Sequence, residues 1–213
     1  MVKSYDILKD HPVNVKRRAE GKNPANSAWF WGAGTRPALM SFEKKNGVKG
    51  AMISAVDLLK GIAVGADMDN IIVEGANGGL DTNYSGKAQA AVKALTEEGY
   101  DFVYVHIEAP DEMGHQGSYE NKITAIERID EKIVGPVRKE LENAGVEFRM
   151  LILPDHPTPV RVRTHTSDPV PYLLYDSRKA VKTADTYNEK TGRQTGIFEE
   201  KGCCLIDHLL EKN

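Results

Sequence analysis

The sequence contains little cysteine, no long apolar segment and no large excess of charge of either sign. Its two cysteines, Cys203 and Cys204, are neighbours. A disulfide between adjacent cysteines is strained, so we expect two reduced thiols, as is usual in a cytosolic protein. No apolar run reaches the ~18 residues that a membrane span needs, and the first residues lack the apolar core of a signal peptide. These absences predict a cytoplasmic protein with no membrane partner.

The charge and composition exclude few other classes of protein. The formal net charge is -3, which gives no electrostatic reason to expect nucleic acid or an acidic membrane as a partner. Hydrophobic residues make up 40% and charged residues 28% of the chain, as in an ordinary globular protein. A chain of 213 residues holds one large domain or somewhat more.

Apolar segments of strand length alternate with segments of helical periodicity. Strands are predicted at residues 27–31, 50–54, 70–74, 102–108, 148–153 and 169–175, and helices at residues 56–65, 86–95, about 118–143 and 206–210. The longest helix would place Ile123, Ile126, Ile129, Ile133 and Val137 on one face. Strands that alternate with crossover helices predict an α/β fold, with a mostly parallel sheet and helices on both faces.

The segment APDEMGH, residues 109–115, follows the predicted strand at 102–108. Asp111 and His115 therefore lie beyond the carboxyl end of a strand, where open α/β sheets place their chemistry. A carboxylate and an imidazole four residues apart can bind one cation. The alternative interpretation is a helix cap followed by a surface histidine.

Two later segments contain the same kinds of metal ligand. They are PDHP at residues 154–157 and THT at residues 164–166, with Asp155, His156 and His165 as the donors. Together with Asp111 and His115 they make five oxygen and nitrogen donors at turns, which suit a pair of Mn or Zn ions better than one structural zinc. The alternatives are a simple turn before Pro157 and a loop cap at His165.

Five further polar residues are candidates for substrate binding. Arg161 and Arg163 lie between two ligand motifs and can contact a phosphate, although surface charge explains them equally well. Asp81, Asn83 and Lys87 lie in or beside a glycine-rich loop at residues 75–84. The loop GAGTRP, residues 32–37, has no Lys-Ser or Lys-Thr after its glycines, which argues against a phosphate-binding P-loop.

The three ligand motifs, in this order, resemble those of the archaeal type of cofactor-independent phosphoglycerate mutase, in the alkaline phosphatase superfamily. Four other segments share the resemblance: DHPVN (10–14), WGAG (31–34), SAVDLLKG (54–61) and GLDTNY (79–84). The resemblance covers nearly the whole chain. It implies an alkaline-phosphatase-like fold and the interconversion of 3-phosphoglycerate and 2-phosphoglycerate in glycolysis. Some members have other proposed functions, such as homoserine kinase, so a related phosphotransferase acting on another metabolite is the alternative.

The same resemblance implies a pair of divalent metal ions, Mn or alternatively Zn, Mg or Co, and no organic cofactor. One ion would be bound by Asp111, His115 and His165. The other would be bound by Asp155 and His156, by an aspartate near the N-terminus of the enzyme and by a serine that becomes phosphorylated. This sequence has no counterpart of that aspartate or that serine, so no catalytic nucleophile is predicted within it. The expected substrate is a small phosphorylated metabolite.

The missing ligands also predict an incomplete fold. Residues 1–26 would be the end of an insertion domain or a linker, and residues 27–213 the C-terminal part of the metal-binding phosphatase or mutase domain. The chain would then be a truncated enzyme or one subunit of a split enzyme. Alone it would be an inactive fragment that binds metal, and its expected partners are the missing N-terminal half or further copies of itself.

Overall fold

The computed structural model describes residues 1–30, 32–35, 37–179 and 181–211. The chain forms two compact units, the first from Met1 to Ala38 and the second from Leu39 onward. The first unit contains helices α1 (Val2–Leu8) and α2 (Pro12–Ala19). Asn14 is buried there, and its amide bonds the carbonyl oxygens of Leu8 at 2.7 Å and Ala25 at 3.0 Å. The assignment of residues 1–26 to an insertion domain remains a prediction.

The strand predicted at residues 27–31 is wrong for the described part of that segment. Residues 27–30 form no strand, and Trp31 lies outside the described residues, as does Arg36 in the loop that follows. Trp29 and Phe30 are 76% and 93% exposed. An aromatic cluster has high strand propensity, but a strand forms only where a neighbour accepts its backbone hydrogen bonds.

The second unit contains most of the regular structure. In chain order its elements are α3 (Phe42–Asn46), β1 (Gly50–Ile53), α4 (Asp57–Gly65), β2 (Asp69–Asn70), α5 (Tyr84–Thr96), β3 (Phe102–Val105), α6 (Ala109–Gln116), α7 (Tyr119–Ile129), a π-helical turn (Asp130–Val134), α8 (Gly135–Asn143), β4 (Arg149–Ile152), β5 (Leu173–Asp176), α9 (Glu189–Gln194), a 3₁₀ turn (Gly202–Cys204) and α10 (Leu205–Leu209). No helix among the described residues is long and apolar enough to cross a membrane.

Strands β1, β2 and β3 form a parallel sheet in the order β2-β1-β3. The chain moves from β1 outward to β2 and then returns past β1 to β3. Since parallel crossovers are right-handed, this reversal places α4 and α5 on opposite faces of the sheet. The central strand is buried along its whole length, from Gly50 to Ile53. The predicted α/β fold with a parallel sheet is thus confirmed.

Strands β4 and β5 form a separate antiparallel pair, in which Arg149 lies opposite Asp176 and Ile152 opposite Leu173. The expectation that both would join the parallel sheet is wrong. No helix lies between them, so no crossover carries the chain back to a parallel start. Strand β5 begins at Leu173 rather than at residue 169, because Pro169 and Pro171 have no N–H group for a ladder.

The long helix predicted at 118–143 consists of α7, the π-helical turn and α8. Its core-facing residues are spaced every four positions: Ala125, Ile129, Ile133, Val137 and Leu141. A four-residue step overshoots an α-helical turn by ~40°, and the wider π turn cancels part of that drift. Ile123 and Ile126 are 41% and 51% exposed, so their predicted place on the buried face is wrong.

Candidate metal centre

Helix α6 positions the first pair of candidate ligands. It begins at Ala109, four residues after the end of β3, and it ends at Gln116. Gly117 caps the helix in a left-handed conformation, with φ of +74°. Asp111 and His115 are one turn apart and point from the same face. Oδ2 of Asp111 lies 3.3 Å from Nε2 of His115.

The loop between β4 and β5 brings His165 to these two residues. Its Nε2 lies 3.3 Å from Oδ1 of Asp111 and 3.1 Å from Nε2 of His115. The three side chains therefore offer one carboxylate and two imidazole donors within 4.8 Å of one another. Ligands of a tetrahedral ion with bonds of ~2.0–2.1 Å are separated by ~3.3 Å, so the spacing fits a single divalent cation.

The hydrogen bond on the far side of the His115 ring supports the same conclusion. Nδ1 of His115 donates to the backbone carbonyl of Arg163 at 3.0 Å, and Arg163 is held in a left-handed conformation with φ +58°. Because a carbonyl oxygen only accepts, Nδ1 carries the proton and a neutral ring keeps its lone pair on Nε2. That lone pair faces a carboxylate oxygen, and either a proton or a metal ion between the two atoms satisfies both. The donor set therefore fits a metal ion.

Asp155 and His156 form a second, smaller pair beside the first group. Nε2 of His156 lies 3.4 Å from Oδ2 of Asp155, and the ring of His156 packs against that of His165 with 3.7 Å between centroids. The structure thus brings His156 into contact with the three-donor group and leaves Asp155 largely exposed. These two side chains alone supply too few donors for a typical metal site.

Thr158 is a buried residue of this region that the sequence reasoning missed as a functional candidate. Its hydroxyl bonds Oδ1 of Asp111 and lies 3.3 Å from Nδ1 of His156. Nζ of Lys122 donates to the backbone carbonyl of Thr158 at 2.7 Å. Thr158 lies inside the motif PDHPTP and next to the ligand pair, which is the signal that could have identified it. Lys122 has no such signal.

Lys87 is placed inside the fold. It is 1% exposed, and its Nζ donates to the backbone carbonyl of His106 at 3.0 Å. Burial lowers the pKa of the Lys87 ammonium, while the charge of Glu108 raises it. His106 lies just beyond β3 with Nδ1 3.3 Å from the hydroxyl of Ser54, and burial lowers the pKa of its ring. The ammonium of Lys87 therefore holds the backbone that leads from β3 toward α6.

The other candidate substrate ligands fall into two places. Asn83 caps α5, with its Oδ1 accepting from the backbone N–H of Gly86 at 2.9 Å. It lines a shallow depression of about 420 Å³ together with the exposed Asp81. Arg161 and Arg163 are exposed on the loop that leads to His165. The arginines are thus close in sequence to the three-donor group, and their role and that of the other candidates remain predictions.

An α/β unit in which a carboxylate and two imidazoles converge is typical of metal-dependent enzymes. The model of the Metalloenzyme superfamily matches residues 9–211, and the chain belongs to that superfamily. This finding, together with the three-donor group, supports the predicted use of a divalent metal.

Similar proteins agree with the resemblance read from the motifs. The chain is 48% identical over 206 residues to the 2,3-bisphosphoglycerate-independent phosphoglycerate mutase of Methanosarcina mazei. The aligned region covers 96% of this chain and 51% of that protein. It is 46% identical over 213 residues to a probable enzyme of the same name from Geobacter sulfurreducens, over 100% and 53% of the two chains. The chain thus spans about half the length of these relatives.

Two solved structures have the same fold as this chain. The PH0037 protein from Pyrococcus horikoshii superimposes with a TM-score of 0.81 at 32% identity, over 98% of this chain and 55% of that one. The cofactor-independent phosphoglycerate mutase from Thermoplasma acidophilum gives a TM-score of 0.63 at 27% identity, over 97% and 48%.

Proposed function

We propose that this chain supplies the metal-binding C-terminal half of a cofactor-independent phosphoglycerate mutase. The whole enzyme would be an isomerase of glycolysis in the cytoplasm, and it would interconvert 3-phosphoglycerate and 2-phosphoglycerate. The observation that carries the proposal is the convergence of Asp111, His115 and His165 at the end of a parallel strand. The names of the relatives support the choice of substrate.

In this proposal Asp111, His115 and His165 hold one ion, and Asp155 and His156 supply part of a second site. The remaining ligands of the second site, including the serine nucleophile, would come from sequence outside these 213 residues. When bound, a pair of divalent ions neutralises charge on the attacking and departing oxygens of a phosphoryl transfer. Manganese is the ion we expect, with Zn, Mg and Co as alternatives.

The residues of this chain prepare the site for that chemistry. The carbonyl of Arg163 fixes the His115 ring so that Nε2 points at Asp111 and His165. Arg161 and Arg163 are the substrate ligands we favour, because both are exposed on the same loop as His165 and a guanidinium matches a phosphate. Asn83 and Lys87 are already bonded within the fold, which leaves them less able to reach a substrate.

A hybrid enzyme tests the function directly. The half of the Methanosarcina mazei relative that matches this chain is replaced by residues 1–213, and the conversion of 3-phosphoglycerate to 2-phosphoglycerate is measured with added Mn. We expect turnover, its loss in the variant His115→Ala, and its retention in His208→Ala, which changes an exposed histidine paired with Glu199.

Two results would contradict the proposal. A folded hybrid that transfers phosphate on another metabolite, but not on the phosphoglycerates, would show a related phosphotransferase. A folded hybrid that binds metal but has no activity would show that residues 1–213 bind a metal ion without supporting catalysis.

A further inference from the structure

Thr158 lies between the two sets of candidate metal ligands. It is only 3% exposed, on the loop that follows β4. Its hydroxyl bonds Asp111, of the three-donor group, and lies 3.3 Å from Nδ1 of His156, of the second pair. No other hydroxyl bonds side chains of both ligand sets among the hydrogen bonds of the described residues.

The chemistry of the two partners fixes the direction of both hydrogen bonds. A carboxylate only accepts, so the single hydroxyl proton of Thr158 is donated to Asp111. The hydroxyl oxygen then accepts from His156, which places the proton of that ring on Nδ1. In the neutral ring, Nε2 of His156 is left with a lone pair, and it lies 3.4 Å from Oδ2 of Asp155.

This arrangement of His156 repeats that of His115. In both rings Nδ1 is bonded to a neutral oxygen, and the lone pair of Nε2 faces a carboxylate, where it can bind a metal ion. Proteins set the tautomer and orientation of metal-binding histidines in this way. For His115 the oxygen is the backbone carbonyl of Arg163, whereas for His156 it is a side-chain hydroxyl and can be removed by substitution.

The backbone of Thr158 is held in place independently of its hydroxyl. Its carbonyl accepts a hydrogen bond from Lys122 of α7, and it packs so closely on Gly114 of α6 that a Cβ atom there would collide with it. Burial lowers the pKa of the Lys122 ammonium, and the charge of Asp111 partly offsets that effect. The backbone that carries the hydroxyl is therefore held by contacts that a substitution of the side chain leaves in place.

We propose that Thr158 is a positioning residue that couples the two metal sites. Its hydroxyl orients the carboxylate of Asp111 and holds His156 in the tautomer that can bind metal through Nε2. The inference rests on the proposed metal site. It gives Thr158, which is not a candidate ligand, a role in orienting the candidate ligands of that site.

The tests compare variants that keep or remove the hydroxyl. Thr158→Val keeps the shape and removes the hydroxyl, and Thr158→Ser keeps the hydroxyl and removes the methyl group. We expect Co²⁺ binding to the three-donor group, followed by its visible absorption, to weaken about 10- to 100-fold in Thr158→Val, as is usual when a residue that supports a ligand is lost. Thr158→Ser should bind nearly as the unsubstituted chain does.

The tautomer of His156 gives a second readout that needs no metal. In the metal-free unsubstituted chain, ¹⁵N NMR should show His156 with its proton on Nδ1, and Thr158→Val should move it toward Nε2. A merely structural role of Thr158 would change the thermal midpoint without moving this signal. If valine prevents folding, Thr158→Ala and Thr158→Ser form the second pair, since both remove the methyl group and only serine keeps the hydroxyl.

The failures of the two proposals are distinguishable. An unsubstituted chain that binds no Co²⁺ would overturn the proposed metal site. An unsubstituted chain that binds Co²⁺, with Thr158→Val binding equally tightly and His156 unchanged in its tautomer, would overturn the role of Thr158 alone.

Discussion

At the scale of single residues, His115 and His156 differ in the number of donors around them. His115 lies in the three-donor group with Asp111 and His165, whereas His156 has only Asp155 beside it in the second pair of candidate ligands. Three protein ligands with open positions are typical of a site that binds a divalent ion, and two ligands seldom hold one. The isolated chain should therefore bind about one Mn ion.

We predict that His115→Ala abolishes Mn binding to the isolated chain and that His156→Ala changes it little. Calorimetric titration with Mn measures both, with His208→Ala as the control for loss of an exposed histidine outside the site. Two tight sites in the unsubstituted chain would contradict the prediction, as would an equal loss of binding in the two variants.

The convergence of Asp111, His115 and His165 could be predicted from the sequence, but the contacts that orient these candidate ligands could not. The type and spacing of Asp111 and His115 carry their own signal, because one helical turn separates them. The carbonyl of Arg163 and the hydroxyl of Thr158 reach the ligands only through the path of the loop after β4. That path depends on the left-handed conformation of Arg163 and on the packing of Thr158 against Gly114, and the periodicity of the sequence predicts neither.

At the scale of elements, an ionic cluster joins the β4–β5 pair to the C-terminal helix. Asp176, the last residue of β5, accepts hydrogen bonds from Arg178 at 2.7 and 2.9 Å and from Arg149 of β4 at 2.9 Å. Arg149 also donates to the backbone carbonyls of His208 and Leu209, the last two residues of α10. The two guanidinium groups, that of Arg178 first, hold the pKa of Asp176 well below its usual range.

Because the pKa of Asp176 is lowered in the folded protein, the stability of the fold should decrease at low pH. An aspartate with a depressed pKa in the folded protein stabilises the fold above its unfolded value of 3.8, and this contribution is lost as the pH falls below that value. We predict that the urea midpoint falls between pH 4 and pH 2, and that Asp176→Asn reduces this fall. Asp185→Asn, which changes an exposed aspartate, is the control. Parallel pH curves for the parent and Asp176→Asn would contradict the prediction.

The elements themselves were predictable where local pattern and tertiary packing agree. Helices α4 and α5 and strand β1 lie within a few residues of their predicted positions, because periodicity and burial coincide there. The predictions of a strand at 27–31 and of a parallel β5 were wrong, because both features depend on which other strand is available for pairing. The π turn at Asp130–Val134 was unpredictable for a related reason, since it accommodates the spacing of core residues against other elements.

At the scale of the whole molecule, apolar side chains remain on the surface of the second unit. Leu58 and Val64 of α4 are 72% and 64% exposed, and Ile72, just after β2, is 74% exposed. Strands β2 and β3 are the two edges of the parallel sheet. Parallel strands are normally buried, and an open edge offers unpaired backbone groups to another chain. Apolar surface of this kind typically belongs to an interface.

We predict that the isolated 213-residue chain associates with itself as its concentration rises. Sedimentation velocity over a wide concentration range measures this association. The paired substitution Leu58→Lys and Ile72→Lys should weaken it, because a charge on each exposed apolar site opposes burial. The control is Lys139→Glu, which changes an exposed charged residue of α8. Adding the N-terminal half of the Methanosarcina mazei relative should also reduce self-association if that half covers the same surface. A monomer at every concentration, unfolding cooperatively, would show instead that these side chains need no cover.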